Sequence, residues 1–281
     1  MRESWRRIRA VAGNTFLEAV RQKVFAVLLI FALALLGGAN YFAEFSFQEQ
    51  FKFLKDLGYA TISLTGLLVG LLGAAQLIPA EIERRTILTA LCRPLRRWEF
   101  VAGKYLGLVS LLGVMLGLMG AVFFGVILWK EAQLIAMEGG DAAAVQAIQM
   151  ESRDPRLWQA FVLIAAKLFV VCGIAVFFST LATSTTFVVA MTLMVYLIGH
   201  LQSVAREQWL ESGEKASWLI QGFLASVALL VPDFNLYSLI DEIVAGNLVQ
   251  WSATLEVLAY SGVYVGVLLA AAAWIFEGRD L

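Results

Sequence analysis

Long apolar segments dominate this sequence and limit the folds open to it. They are close in length to the roughly 20 residues that an α-helix needs to cross the hydrocarbon core of a bilayer. Overall, 60% of the 281 residues are apolar and the mean hydropathy is +0.78, whereas soluble domains are nearer to about half apolar. The sequence predicts an all-α, polytopic helical membrane protein that forms one domain over residues 1–281. Its six transmembrane helices are expected at residues 24–42, 59–78, 105–129, 158–181, 186–201 and 253–276.

The main polar interruption, residues 80–104, lies between the second and third apolar segments. Acidic residues at its start favour a short helix over residues 80–91, because the helix dipole stabilises negative charge there. Pro94 should end that helix, since the residue before a proline avoids the helical region. A new helix is expected to begin near Arg97. The segment therefore predicts a basic helical elbow at the membrane surface, with charged residues Glu81, Glu83, Arg84, Arg85, Arg93, Arg96, Arg97, Glu99 and Lys104.

Residues 1–23 have an amphipathic helical pattern. Apolar side chains recur at helical spacing, and arginines fall largely between them. This pattern is typical of a helix that lies in the membrane interface with its arginines at the lipid headgroups. Two interpretations stay open, a helix that also touches a soluble partner and a plain membrane anchor.

Residues 218–246 are expected to form a re-entrant helical hairpin. The apolar run 218–231 would reach only about 21 Å, which is too short to span a bilayer. Pro232 then breaks the helix, Asn235 is placed to cap a second short helix over residues 236–245, and Gly246 follows it. Irregular backbone at membrane depth needs cover from protein or water.

Basic residues predict the orientation of the chain. Six lie in residues 1–23 and six in residues 80–104, whereas residues 43–58 hold only Lys52 and Lys55. Because cytoplasmic segments carry the excess of Lys and Arg, the N-terminus and the elbow are expected in the cytoplasm. Six spans then return the C-terminus to the cytoplasm.

The sequence offers little for catalysis or for metal binding. Cys92, Cys172 and His200 are the only cysteines and the only histidine, so no disulfide scaffold or zinc site is expected. Gly103-Lys104 is not a phosphate-binding loop, because Trp98 occupies the position of its first glycine. We therefore expect no enzyme active site, no cofactor, no metal and no nucleic-acid partner. Close packing of Lys167, His200 and Glu256 would reopen the case for an intramembrane enzyme.

Two groups of residues resemble one transporter family. The first is the elbow series of an acidic start, Thr86, Arg93-Pro94, Arg97 and Gly103-Lys104. The second is Asn14-Thr15-Phe16 with Glu18, Arg21 and Lys23 before the first span. Together with the span pattern, they resemble the type-2 ABC transporter permeases, in particular the branch that contains the copper-enzyme maturation permease.

This resemblance implies a function and a set of partners. The elbow would be the coupling helix that docks on a separate ATPase subunit, present in two copies, which binds ATP and Mg²⁺. A second permease subunit, identical or related, would complete an exporter in the inner membrane of a bacterial or archaeal cell. The candidate docking residues are Glu81, Glu83, Arg84, Arg85, Thr86, Arg93, Pro94 and Arg97.

Two polar residues within the apolar segments are candidates for a translocation path. Lys167 lies about ten residues into the fourth span, where a charge costs about 2.5–3.5 kcal/mol. It either lines a substrate or coupling path, snorkels from a tilted helix, or is buried against carboxylates of a loop. Gln76, near the end of the second span, is the other candidate, with a helix-packing hydrogen bond as its alternative.

Pairs of glycines four residues apart permit close helix approach. They serve either packing within one subunit or a seam between two subunits. The pairs are Gly66/Gly70, Gly103/Gly107 and Gly113/Gly117.

An alternative function is a non-transporting membrane scaffold or anchor that recruits a soluble partner through the same basic elbow. A simpler alternative for the elbow is a loop that binds only lipid headgroups. Its mixture of acids with arginines and its helix–proline–helix pattern argue against that simpler interpretation.

Overall fold

The computed structural model describes residues 2–44, 50–77, 96–137, 142–211 and 231–278. The described chain is helical and contains no β-strand in those ranges. Its helices are α1 (Arg2–Val20), α2 (Lys23–Ala43), α3 (Gln50–Ala75), α4 (Arg97–Met137), α5 (Ala142–Ser152), α6 (Arg156–Leu181), α7 (Thr185–Glu211), a 3-10 helix (Phe234–Ser238), α8 (Leu239–Val244) and α9 (Trp251–Glu277).

Within the described residues, six segments are long and apolar enough to cross a membrane. They lie in α2, α3, α4, α5–α6, α7 and α9. Within the described ranges the six candidate spans match the predicted spans in number and order, and the ends of α2, α6 and α9 agree with prediction to within two residues. Residues 218–230, the apolar run of the predicted re-entrant hairpin, lie outside the described residues.

Three of these helices extend well beyond the predicted spans, and α7 continues to Glu211 rather than ending near residue 201. α3 begins at Gln50 rather than near residue 59, because Phe51 and Leu54 are buried and continue its packed face. α4 is a single helix of 41 residues, about 60 Å long, which is roughly twice the thickness of the hydrocarbon core. Its far end is held by a buried carboxylate, since Glu131 Oε1 lies 2.8 Å from Arg153 Nη2.

The centre of the bundle is formed by α3, α4 and α6, whose buried side chains make one continuous core. Glycines determine how closely these helices approach one another. A Cβ atom on Gly66 would come within 2.3 Å of Leu168 Cδ1, and one on Gly58 within 2.1 Å of the Phe123 ring. The Gly66/Gly70 pair thus serves packing within the subunit, where Gly70 faces Cys172 Sγ.

Helix α1 lies against the first turns of α4. Ile8 and Thr15 are buried in this contact, whereas Trp5 and Val20 are exposed. A Cβ atom on Gly107 would come within 2.8 Å of the Ala12 carbonyl oxygen. The predicted amphipathic helix is present, and its contact face packs on α4.

The chain after α7 returns to the bundle through the 3-10 helix and α8. Asp233, not Asn235, caps the 3-10 helix, because its Oδ1 accepts a hydrogen bond from Asn235 N at 2.9 Å. The cap prediction was wrong by two residues. The predicted helix end is confirmed, since Gly246 follows it with φ +87°, a conformation that glycine adopts without strain.

The glycines at the contact between α1 and α4 lead to a prediction about the stability of the protein. We expect Gly107→Ala to destabilise the protein by about 1–3 kcal/mol, because the new methyl group overpacks a backbone contact. Gly125→Ala is the matched control on the same helix, since a Cβ atom there meets nothing within 4 Å. Thermal unfolding in one detergent should show a lower Tm for Gly107→Ala only. Equal Tm values for the two variants would contradict the described α1–α4 contact.

Candidate functional site

The first turn of α4 is attached to the end of the last helix. Arg97 Nη1 donates hydrogen bonds to the Phe276 carbonyl oxygen at 2.7 Å and to the Glu277 carbonyl oxygen at 2.9 Å. Its guanidinium also lies over the Phe276 ring, 5.9 Å from the centroid. A cation at these carbonyls satisfies acceptors that have no partner within the helix and interacts favourably with the helix dipole.

Glu99 joins the same turn to α1. Its Oε2 accepts a hydrogen bond from the Arg96 backbone amide at 3.2 Å, which caps the start of α4. The same oxygen lies 3.7 Å from Arg7 Nη1 in α1. Glu99 is fully buried, and a buried carboxylate is stable only when it is paired and hydrogen-bonded.

These contacts bring three parts of the chain to one end of the bundle: α1, the start of α4 and the end of α9. The Phe100 and Phe276 rings stack beside them, with centroids 5.8 Å apart. Residues 96–104 of the elbow are described, so the elbow is continuous in sequence with this junction. We call this group of Arg7, Arg97, Glu99, Phe100 and Phe276 the α1–α4–α9 junction.

The sequence prediction covers this junction only in part. Arg97 is described and lies within it, while the remaining predicted docking residues lie outside the described residues: Glu81, Glu83, Arg84, Arg85, Thr86, Arg93 and Pro94. Glu99 was not singled out as a structural link. A signal for it was present, because an acid three residues into a helix is typical of a capping box.

A polar cavity of about 400 Å³ lies at the other end of α3. It is partly open, and its walls are formed by the first half of α3, the middle of α6, the end of the apolar part of α7, the 3-10 helix and α8. Its lining residues are Asp56, Tyr59, Ala60, Ser63, Ile164, Lys167, His200, Phe234, Asn235, Tyr237, Ser238, Ile240, Asp241 and Val244.

Lys167 is a wall residue of this cavity. Its Nζ lies 5.4 Å from the centroid of the Tyr196 ring, a cation–π distance, and Asp241 acts on it electrostatically. Gln76 lies in the turn after α3, near the elbow, and does not line the cavity. The structure therefore separates the two residues that the sequence grouped as a possible path.

Aromatic rings fix the side of the cavity next to Lys167. His200 stacks on Phe234 with a centroid distance of 5.2 Å, and its Nδ1 lies 2.9 Å from the Tyr196 carbonyl oxygen. Because a carbonyl only accepts, Nδ1 carries the hydrogen. Tyr237 is held by Ser261 of α9, and burial raises the pKa of Tyr237 to about 12, so its hydroxyl stays neutral at physiological pH.

The cavity does not bring together the residues that would suggest an intramembrane enzyme. Lys167 and His200 line it, but Glu256 lies exposed on α9 and outside the lining. Among the described residues, no group of three His, Cys, Asp or Glu side chains could hold a metal ion.

The fold and these two regions define a multi-pass helical membrane protein with a polar site inside its bundle. Comparison with protein families matches residues 9–281 to the ABC-2 family transporter protein. The chain belongs to this family, whose members are membrane permease subunits that work with an ABC ATPase subunit. The resemblance seen in the sequence is confirmed at the level of the family. A search of curated proteins found no match.

The α1–α4–α9 junction leads to a prediction about Arg97. Arg97→Ala removes two charge-assisted hydrogen bonds to α9, worth roughly 1.5–3 kcal/mol each in protein interiors and less where water reaches them. We expect spin labels at positions 98 and 277 to show a broader distance distribution in this variant.

The neighbouring Arg96→Ala is the control, because Arg96 is exposed and contributes its backbone amide, which alanine retains. Identical distance distributions in the two variants would show that Arg97 does not hold the end of α9.

Proposed function

We propose that the chain couples ATP hydrolysis by a separate ABC ATPase subunit to movement of a substrate across the membrane, with export as the direction. The observation that carries this proposal is the α1–α4–α9 junction. It connects the end of the elbow to the first and last helices through Glu99 and Arg97. A push on the elbow would therefore reach α1 and α9 as well as α3 and α4, which flank it directly.

The proposed assembly holds two ATPase subunits, which bind ATP and Mg²⁺, and a second permease subunit. Exposed apolar residues support a further membrane partner or lipid along α9 and α4, including Val263, Val267 and Trp274. Gly113 and Gly117 face open space in the described subunit, which is compatible with their predicted role at a subunit seam. The sequence also resembles the branch that contains the copper-enzyme maturation permease. Membership of that branch would narrow the range of possible substrates.

The proposed orientation places both termini in the cytoplasm of a bacterial or archaeal cell, in its inner membrane. The junction supports it, because α1, the elbow side of α4 and the end of α9 share one end of the bundle. The distribution of charge supports the same orientation, since the N-terminal and elbow segments carry most of the clustered basic residues.

We also propose that residues 218–246 re-enter the membrane rather than span it. Asn235 Nδ2 donates to the Gly199 carbonyl oxygen at 3.4 Å, so Gly199, before the segment, and Asn235, after its apolar run 218–231, lie at the same end of the bundle. Tyr237 contacts Ser261, about 15 Å along α9 from its start. The irregular backbone there is covered, because Asp233 N donates to the Tyr260 hydroxyl at 3.2 Å.

The transport proposal is tested by charge reversal in the elbow. We expect Arg84→Glu with Arg85→Glu to lower the permease-stimulated ATPase rate at least about tenfold, toward the rate of the ATPase alone, because reversed charges repel a docking surface that needs cations. The measurement is ATP hydrolysis by the complex reconstituted in liposomes, with membrane insertion checked by flotation.

Lys52→Glu is the control, since Lys52 is an exposed cation at the opposite end of α3. Unchanged stimulation in the elbow variant would exclude this elbow as the docking site. Purification of the native protein without any ATPase, under conditions that preserve such complexes, would favour the alternative function of a membrane scaffold.

A further inference from the structure

The side of α1 that faces away from α4 carries a continuous stripe of exposed residues. They recur at intervals of three or four positions, so they share one face of the helix. The exposed residues of this stripe are Arg6, Arg9, Gly13, Leu17 and Val20. A Cβ atom on Gly13 would meet nothing within 4 Å, so the middle of the stripe is open helix surface. We call this set of five residues the α1 stripe.

Contacts between α1 and α4 show that the two helices run in the same direction. Arg7 of α1 lies beside Glu99 of α4, with Nη1 3.7 Å from Oε2. Further along both helices, a Cβ atom on Gly107 would come within 2.6 Å of Thr15 Cβ. Because α4 continues from here into a candidate membrane span, the end of α1 at Val20 lies deeper in the membrane than its beginning.

The polarity of the α1 stripe changes along that direction. Its shallow end carries Arg6 and Arg9, beside Trp5, which is exposed and of a type enriched at the level of the headgroups. Its deep end carries the exposed side chains of Leu17 and Val20. The distance from Arg9 to Leu17 along the helix axis is about 12 Å, whereas each polar layer of a bilayer is only about 5–8 Å thick. The stripe therefore passes from the headgroups into the hydrocarbon.

The positive charge of the α1 stripe is available to a ligand. Arg6 and Arg9 are exposed and form no ion pair among the described residues. The two acids of α1 lie off the stripe. Glu3 contacts Arg7, with the charged atoms 3.7 Å apart, and Glu18 points to another face, because successive residues of a helix are rotated by about 100°.

A phospholipid with an anionic headgroup matches both halves of the α1 stripe. Its phosphate accepts charge-assisted hydrogen bonds from guanidinium groups, and its acyl chain covers apolar side chains at the deep end. A zwitterionic lipid would bring a second cation to the arginines. A soluble anion would leave the apolar half uncovered, and a soluble protein would not reach residues at the depth of the hydrocarbon.

We propose that the α1 stripe binds one anionic phospholipid, with the phosphate at Arg6 and Arg9, the glycerol backbone at Gly13 and an acyl chain along Leu17 and Val20. This binding requires neither transport nor an ATPase subunit. Its failure would therefore leave the proposed function unaffected, because that proposal is measured by ATPase stimulation.

The test measures lipid binding by the purified full-length protein without an ATPase. Native mass spectrometry gives the affinity for the first bound molecule of phosphatidylglycerol and of phosphatidylcholine with identical acyl chains. We expect the wild type to prefer phosphatidylglycerol. Arg6→Gln with Arg9→Gln should weaken its binding at least about fivefold, because each arginine attracts an anionic headgroup. Arg6→Lys with Arg9→Lys should keep the preference, because both charges remain.

Two neighbouring positions provide a matched pair of variants that tests the register of the site. Gly13→Glu places a carboxylate on the α1 stripe, one turn after Arg9 and within pairing distance of it. Asn14→Glu places the same carboxylate on the next residue, which is exposed but lies off the stripe. We expect Gly13→Glu to weaken binding of phosphatidylglycerol at least about fivefold and Asn14→Glu to bind it like the wild type.

Four results would overturn the proposal. Equal affinity for the two lipids would remove the role of charge, and displacement of the lipid by soluble glycerol phosphate would remove the role of the apolar half. Equal weakening by Gly13→Glu and Asn14→Glu would indicate general attraction of anions to α1 rather than a site. Wild-type lipid affinity in the Arg6→Gln, Arg9→Gln variant would exclude these arginines, and a loss of ATPase binding in that variant would assign them to the ATPase interface instead.

Discussion

The buried carboxylate of Glu99 is the contact around which the elbow end of the bundle is organised. It caps α4 through the Arg96 amide and pairs with Arg7 of α1. Removing α1 would leave this charge without its cationic partner, and such a loss is strongly destabilising in a protein interior. Gly103 and Gly107 extend the same contact, because they let α1 approach the α4 backbone. The first turn of α4 therefore cannot move independently of α1.

Helix α3 connects this end of the bundle to the polar cavity. Asp56 and Tyr59 at its start line the cavity, and its end leads into the elbow. Between them, Gly66 packs against Leu168, the residue after Lys167. Close-packed interiors transmit displacement rather than absorb it. A shift of α3 along its axis would thus act on the cavity wall and on the elbow together.

Predictions from periodicity and segment length succeeded where one large contribution to the free energy decides the structure. The six spans follow from the cost of exposing backbone polar groups to lipid. The prediction failed at Asn235, because the neighbouring Asp233 offers a carboxylate to the same turn. The predicted start of α3 was also too late in the sequence, since the burial of Leu54 depends on residues far away in the chain.

Membrane class, span order and a basic segment between the second and third spans can be read from the chain itself, because they depend on local hydropathy and charge. The helical elbow predicted in that segment stays a prediction, since residues 78–95 lie outside the described residues. The family resemblance also rests on local motifs. The roles of Glu99, Arg97 and Lys167 required the tertiary structure. Arg97 contacts carbonyl oxygens about 180 residues later, and Lys167 shares a cavity with Asp241 of a separate short helix. No local pattern encodes such pairings, since they follow from how helices pack and which of their faces meet.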